Sequence, residues 1–76
     1  MNIQELERKL NEAGIPKDAY SLGIGGLPSE RYCLVMNGNA WEFYYSERGR
    51  KSALKYFDDE SVACEYFWNE LRSEFT

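Results

Sequence analysis

The sequence predicts an α+β domain in which a small antiparallel sheet of three or four strands carries two helices on one face. Helical periodicity at both ends of the chain and alternating, aromatic-rich segments between them predict this fold. The expected element order is therefore α-β-β-β-α. The chain has 76 residues, which is enough for a single domain, 1–76, and too few for a second.

The first helix is predicted over residues 3–13. Asn2 is a suitable N-cap, and Glu5 three residues later completes the pattern of a capping box. The apolar side chains of this helix share one stripe: Ile3, Leu6, Leu10 and Ala13. Gly14 is expected to end the helix in a left-handed conformation, and Pro16 prevents the helix from resuming.

The middle of the chain predicts three strands joined by local turns. "RYCLVM" and "AWEFYYS" flank "NGN", a strong hairpin signal centred on residues 37–39, and "SALKYF" follows a loop turned by Gly49. Such local connections favour an antiparallel meander whose second face is left to water or to a partner. Alternation separates two faces in the second of these strands: Trp41, Phe43 and Tyr45 against Glu42 and Tyr44.

Residues 15–30 are predicted to be irregular, with a short strand near Tyr20–Ile24. The "GIGG" sequence inside them is not followed by the lysine and helix start of a phosphate-binding loop. We therefore interpret these glycines as residues that let the chain turn tightly.

The last helix is predicted over residues 59–73, with Asp58 as its N-cap. The inner stripe is expected to contain Ala63, Cys64, Phe67 and Leu71, flanked by Val62, Tyr66, Trp68 and Phe75. The charges of this segment are strongly biased, with Arg72 against Asp58, Asp59, Glu60, Glu65, Glu70 and Glu74. The acidity of the protein therefore resides mainly in this helix.

The composition argues against catalysis. The chain has no histidine, so the usual base of a nucleophilic triad is missing, and two separated cysteines do not make a zinc site. We expect no enzyme activity, cofactor or metal. Cys33 and Cys64 are expected to be reduced, buried thiols of a cytoplasmic protein. No apolar run approaches the length of a membrane span, so no contact with a membrane is expected.

A short basic segment follows the aromatic strand. Between Ser46 and Lys55 the chain carries Arg48, Arg50, Lys51 and Lys55 against Glu47, although the whole protein has a formal net charge of −4. Three interpretations are open: a solvated loop paired with nearby acids, a protein contact, or a nucleic-acid contact helped by Tyr44 and Tyr45. The acidic balance disfavours the last, because it repels polyanions.

The segment "YYSERGRKSALKYFDDESVACEYFWNEL", from Tyr44 to Leu71, resembles small bacterial immunity proteins encoded beside polymorphic toxins of contact-dependent and secreted toxin systems. The resembling features are the aromatic strand, "YSERG", a lysine soon after it, the "LKxF" strand, the acidic helix start and "AC-E-YF" within the helix. The likeness covers the C-terminal half and the hairpin.

The resemblance implies a cytoplasmic antitoxin that binds one cognate toxin domain, with a nuclease as one such toxin, and blocks its active site or substrate path. It implies a protein partner and no direct contact with nucleic acid. Partner contacts are expected at Trp41, Glu42, Tyr44, Glu47, Arg48, Glu65 and Glu70. Two other functions compete: a small nucleic-acid-binding or regulatory domain that uses the 46–55 loop, and a structural adaptor that uses the open sheet face.

Overall fold

Two helices pack on one face of a four-stranded sheet, in which the strands lie side by side in their chain order. The computed structural model describes residues 1–75. The elements follow in chain order: α1 (Ile3–Glu12), a 3-10 turn (Lys17–Ala19), β1 (Tyr20–Leu22), β2 (Arg31–Asn37), β3 (Ala40–Glu47), β4 (Arg50–Phe57) and α2 (Glu60–Phe75). The predicted α+β fold is confirmed. Within residues 1–75, neither helix combines the length and the apolar character that a bilayer span requires.

Both ends of α1 have the predicted signals. The Asn2 side chain accepts a hydrogen bond from the Glu5 backbone N–H at 2.8 Å, and the Glu5 carboxylate accepts one from the Asn2 N–H at 3.4 Å. At the other end Gly14 has a φ of +77°, and the Ile15 N–H donates to the Leu10 carbonyl at 3.1 Å. This is a Schellman motif, and it places Ile15 in the core.

The cap of α2 is one residue later than predicted. The Asp59 carboxylate, not that of Asp58, accepts a hydrogen bond from the Ser61 N–H at 2.7 Å, and α2 begins at Glu60. The Glu60 carboxylate in turn accepts the Ile3 N–H at 3.0 Å. The first turns of the two helices are therefore joined directly.

The sheet is mixed rather than wholly antiparallel. Strands β2, β3 and β4 form the predicted meander, but β1 pairs with β2 in parallel, with Tyr20 opposite Tyr32. Parallel pairing requires the chain to return to the start of β2, and residues 23–30 make this return. Gly25 and Gly26 there have φ values of +82° and +79°, which side chains disfavour.

The main core lies between the helices and the sheet. Its buried members are Leu6, Leu10, Ile15, Tyr20, Leu34, Phe43, Ala63, Cys64, Phe67 and Leu71. Phe43 of β3 meets Phe67 and Tyr66 of α2 edge to face, with centroid distances of 5.8 and 5.1 Å. Burying one such large side chain contributes about 1.5–3 kcal/mol, so this contact fixes α2 on the sheet.

The second face of the sheet is partly covered. Cys33, Val35 and Tyr44 form a second buried cluster on it. Residues 23–30 lie over this cluster, since the Tyr44 hydroxyl donates to the Gly26 carbonyl at 2.6 Å. The expected open face is therefore confined to the β4 side, where Tyr56 is 58% exposed.

The two cysteines are free and buried, as predicted, and they belong to different clusters. Cys33 lies on the second face and Cys64 on the helix face, so the sheet separates their thiols. Burial raises the pKa of both thiols, that of Cys64 to about 11.

We expect both thiols of the native protein to react with Ellman's reagent at pH 8 roughly 100-fold or more slowly than in denaturant. A reductant-sensitive electrophoretic mobility would contradict this arrangement.

A bulge in β4 places one residue in a strained backbone conformation, and relieving this strain should stabilise the protein. Between the pairs Phe43–Lys55 and Tyr45–Ser52 the register shifts, and Ala53 has a φ of +56°. Glycine adopts this conformation without strain, so Ala53→Gly should raise the free energy of unfolding by about 0.5–1 kcal/mol in chemical denaturation. Ala40→Gly, in a strand without such a φ, is the control and should lower it. Destabilisation by Ala53→Gly would show that the bulge carries no strain.

Candidate functional site

The predicted contact residues fall into two groups. Trp41 is half-buried against the main core, and Glu42 and Tyr44 are buried on the second face. The remaining four are exposed: Glu47 and Arg48 at the β3–β4 turn, and Glu65 and Glu70 on α2. The structure does not bring these residues together on one surface, because the second face and α2 lie on opposite sides of the sheet.

Glu42 is the centre of a polar network on the second face. It is 3% exposed, and its two carboxylate oxygens accept hydrogen bonds from Lys51 Nζ and the Tyr56 hydroxyl, both at 3.0 Å. Burial by itself raises the pKa of the Glu42 carboxyl, but these hydrogen bonds outweigh it and the pKa lies below its ordinary value. Lys51 Nζ also lies 4.6 Å from the centroid of the Tyr44 ring.

Tyr44 has no exposed surface. Its hydroxyl donates a hydrogen bond to the Gly26 carbonyl. Burial, and to a smaller extent the neighbouring Cys33, raises the pKa of Tyr44 to about 12. Tyr44 therefore offers no surface for contact with a partner, and Glu42 offers very little. Their burial argues against the contact roles predicted for them and gives them a structural role instead.

The basic segment forms a narrow turn rather than a continuous surface. Lys51 forms an ion pair with Glu42. The Nζ atom of Lys55 lies over the Tyr66 ring, 5.9 Å from its centroid. Arg48 and Arg50 remain exposed at the turn. Arg48 has a φ of +49°, in the conformation that asparagine or glycine favours in such hairpin turns.

The surface of α2 is acidic, as the sequence predicts. Glu65 and Glu70 are exposed, and neither forms an ion pair with a described residue. Glu70 accepts a hydrogen bond from the Tyr66 hydroxyl at 3.1 Å. Because these carboxylates face water, their field extends beyond the protein over about one Debye length.

A groove that sequence reasoning missed lies at one end of the sheet. Its volume is about 570 Å³. It lies between the 3-10 turn, the end of the 23–30 segment, the start of β2, the second half of β3 and the last turn of α2. We call it the tyrosine groove, defined by Asp18, Glu30, Arg31, Tyr32, Tyr45 and Glu74. The lining residues come from separate segments, so no spacing in the sequence indicates it.

Within residues 1–75, no three cysteine or acidic side chains are grouped closely enough to hold a metal ion. Glu42, the buried carboxylate of the second face, is paired with Lys51.

Comparison of the chain with protein-family models, with curated protein sequences and with solved structures finds no significant match. The geometry and charge of the surface therefore carry the functional argument, together with the resemblance noted in the sequence.

The Glu42 network predicts a pH-dependent stability. Glu42→Gln should lower the free energy of unfolding by about 1–2 kcal/mol at pH 7, because a hydrogen-bonded charge pair is lost. Since the folded pKa of Glu42 lies below its ordinary value of 4.5, this stabilisation is complete above that value and is lost as the pH falls through the folded pKa. The difference between wild type and Glu42→Gln should therefore narrow below about pH 4.5.

Chemical denaturation at several pH values measures this difference. Glu47→Gln, at an exposed position of the same strand, is the matched control and should change the stability by less than about 0.5 kcal/mol. A difference between wild type and Glu42→Gln that stayed constant from pH 7 to pH 3 would contradict the charged pair.

Proposed function

We propose that the protein is an immunity protein that binds a cognate bacterial toxin domain in the cytoplasm and neutralises it by stoichiometric contact. The observation that carries the proposal is the exposed acidic surface of α2, where Glu65 and Glu70 have no ion-pair partner among the described residues. Because residues Tyr44–Leu71 resemble small immunity proteins, we take the partner of this surface to be a toxin domain.

Charge complementarity indicates the kind of toxin. A toxin that cleaves nucleic acid needs a basic cleft, since its substrate is a polyanion. An acidic inhibitor is attracted to such a cleft, and exposed charges raise the association rate more than they raise the lifetime of the complex. The proposed complex therefore places the acidic side of α2 against the basic surface of the toxin.

The nucleic-acid alternative receives less support. It depends on the 46–55 loop, where Lys51 is held by the buried Glu42 and only Arg48 and Arg50 project from the turn. Two arginines on a protein with a net charge of −4 give few phosphate contacts and a repulsive background.

Binding kinetics test the proposal. The toxin domain is sought in the product of the neighbouring gene, because the immunity proteins that the sequence resembles are encoded beside their toxins. The double variant Glu65→Gln/Glu70→Gln should slow its association several-fold and flatten the salt dependence of the rate, because rim charges act mainly on association. The matched control, Glu7→Gln/Glu12→Gln, removes the same charge from α1 and should have a smaller effect. Arg48→Gln/Arg50→Gln should leave the affinity unchanged or slightly improved.

Two outcomes count against the proposal in different ways. A wild-type protein that neither binds nor inhibits the toxin at equal concentrations would overturn the immunity function. Loss of binding in Arg48→Gln/Arg50→Gln alone would show that the toxin presents an acidic face, and the orientation would be wrong.

A further inference from the structure

The tyrosine groove has acidic and aromatic lining residues that suit a basic side chain. We infer that it holds an arginine of the partner, with the guanidinium group between the Tyr32 and Tyr45 rings and the surrounding carboxylates. This inference rests on the proposed function for the identity of the partner. The chemistry of the groove can be tested on the protein alone.

The charge of the groove favours a cation. Asp18, Glu30 and Glu74 line it, against Arg31, and none of the three acids forms an ion pair with a described residue. These carboxylates are not grouped closely enough to hold a metal ion. A larger cation with several donors can reach carboxylates that a single metal ion cannot, and the arginine side chain has five N–H donors.

The aromatic walls favour a planar cation. Tyr32 and Tyr45 are half-buried and cross-strand partners, with ring centroids 4.7 Å apart and a tilt of 55°. A guanidinium group stacks on such rings and is more weakly hydrated than an ammonium group, so it loses less on entering a partly enclosed groove.

The hydroxyls of these two tyrosines differ from those of Tyr44 and Tyr66 in their hydrogen bonding. Those of Tyr44 and Tyr66 bond to described residues, whereas those of Tyr32 and Tyr45 have no such partner within residues 1–75. Each can accept a hydrogen bond from an arginine N–H. The last turn of α2 borders the groove, and the negative end of the helix dipole favours a cation nearby.

The first experiment uses the free protein. Titration of ¹⁵N-labelled protein with N-acetyl-Gly-Arg-Gly-amide at constant ionic strength should give chemical-shift changes centred on Tyr32, Tyr45 and Glu74. The citrulline peptide, which has the same shape without the charge, should give none. A lysine peptide should bind more weakly than the arginine peptide, because ammonium does not stack.

Variants assign the effect to the groove. Glu30→Gln/Glu74→Gln should weaken binding of the arginine peptide by about fivefold, as expected for two partly exposed charge contacts. Glu7→Gln/Glu12→Gln changes the net charge equally and should weaken it little. The inference would be overturned if both double variants weakened binding of the arginine peptide equally, or if the chemical-shift changes were spread over all acidic residues. It would also be overturned if the citrulline peptide bound as tightly as the arginine peptide.

The toxin complex separates this inference from the proposed function. If the toxin is bound and inhibited while Glu30→Gln/Glu74→Gln leaves its affinity unchanged, the immunity function stands and the groove does not hold an arginine of the toxin. If the arginine peptide occupies the groove but the toxin is not bound, the groove chemistry stands and the immunity function fails.

Discussion

Strand β3 is packed on both faces, and the rest of the structure depends on this constraint. Phe43 lies under α2, and the next residue, Tyr44, lies under the 23–30 segment. A carboxylate buried on such a strand is costly unless it is paired and hydrogen-bonded. The pairing of Glu42 with Lys51 and Tyr56 follows directly from that requirement.

The same constraint decides which residues remain for binding. Two of the side chains that the sequence offers as partner anchors are used to build the second face. The surfaces left for a partner are the outer side of α2, the β3–β4 turn and the tyrosine groove. All three lie at the surface, outside the two buried clusters, so a partner can bind them without disturbing the core.

Local signals made much of the fold predictable. The capping box at Asn2 and Gly14 at the end of α1 operate over a few residues, and so does the turn at Gly38. Asp58 and Asp59 are adjacent and chemically alike, so the sequence could not show which one caps α2. The parallel pairing of β1 depends on the path of residues 23–30 across the sheet, which no local pattern records.

The candidate site was less predictable for a related reason. Alternation correctly put Tyr44 on the face opposite Phe43, but it cannot show whether that face is covered. The exposed acids of α2 were predictable because helical periodicity separates inner from outer positions. The tyrosine groove was not, since its carboxylates and rings come from four segments that meet only in the folded chain.

The covering of the second face has a consequence for how the molecule opens. Residues 23–30 are held over the Cys33 cluster by the Tyr44–Gly26 hydrogen bond, whereas Cys64 lies in the main core between the helices and the sheet. Lifting this cover leaves the helices in place, so exposure of Cys33 is a sub-global event and exposure of Cys64 a nearly global one. The two thiols are therefore natural probes of two different opening free energies within one small domain.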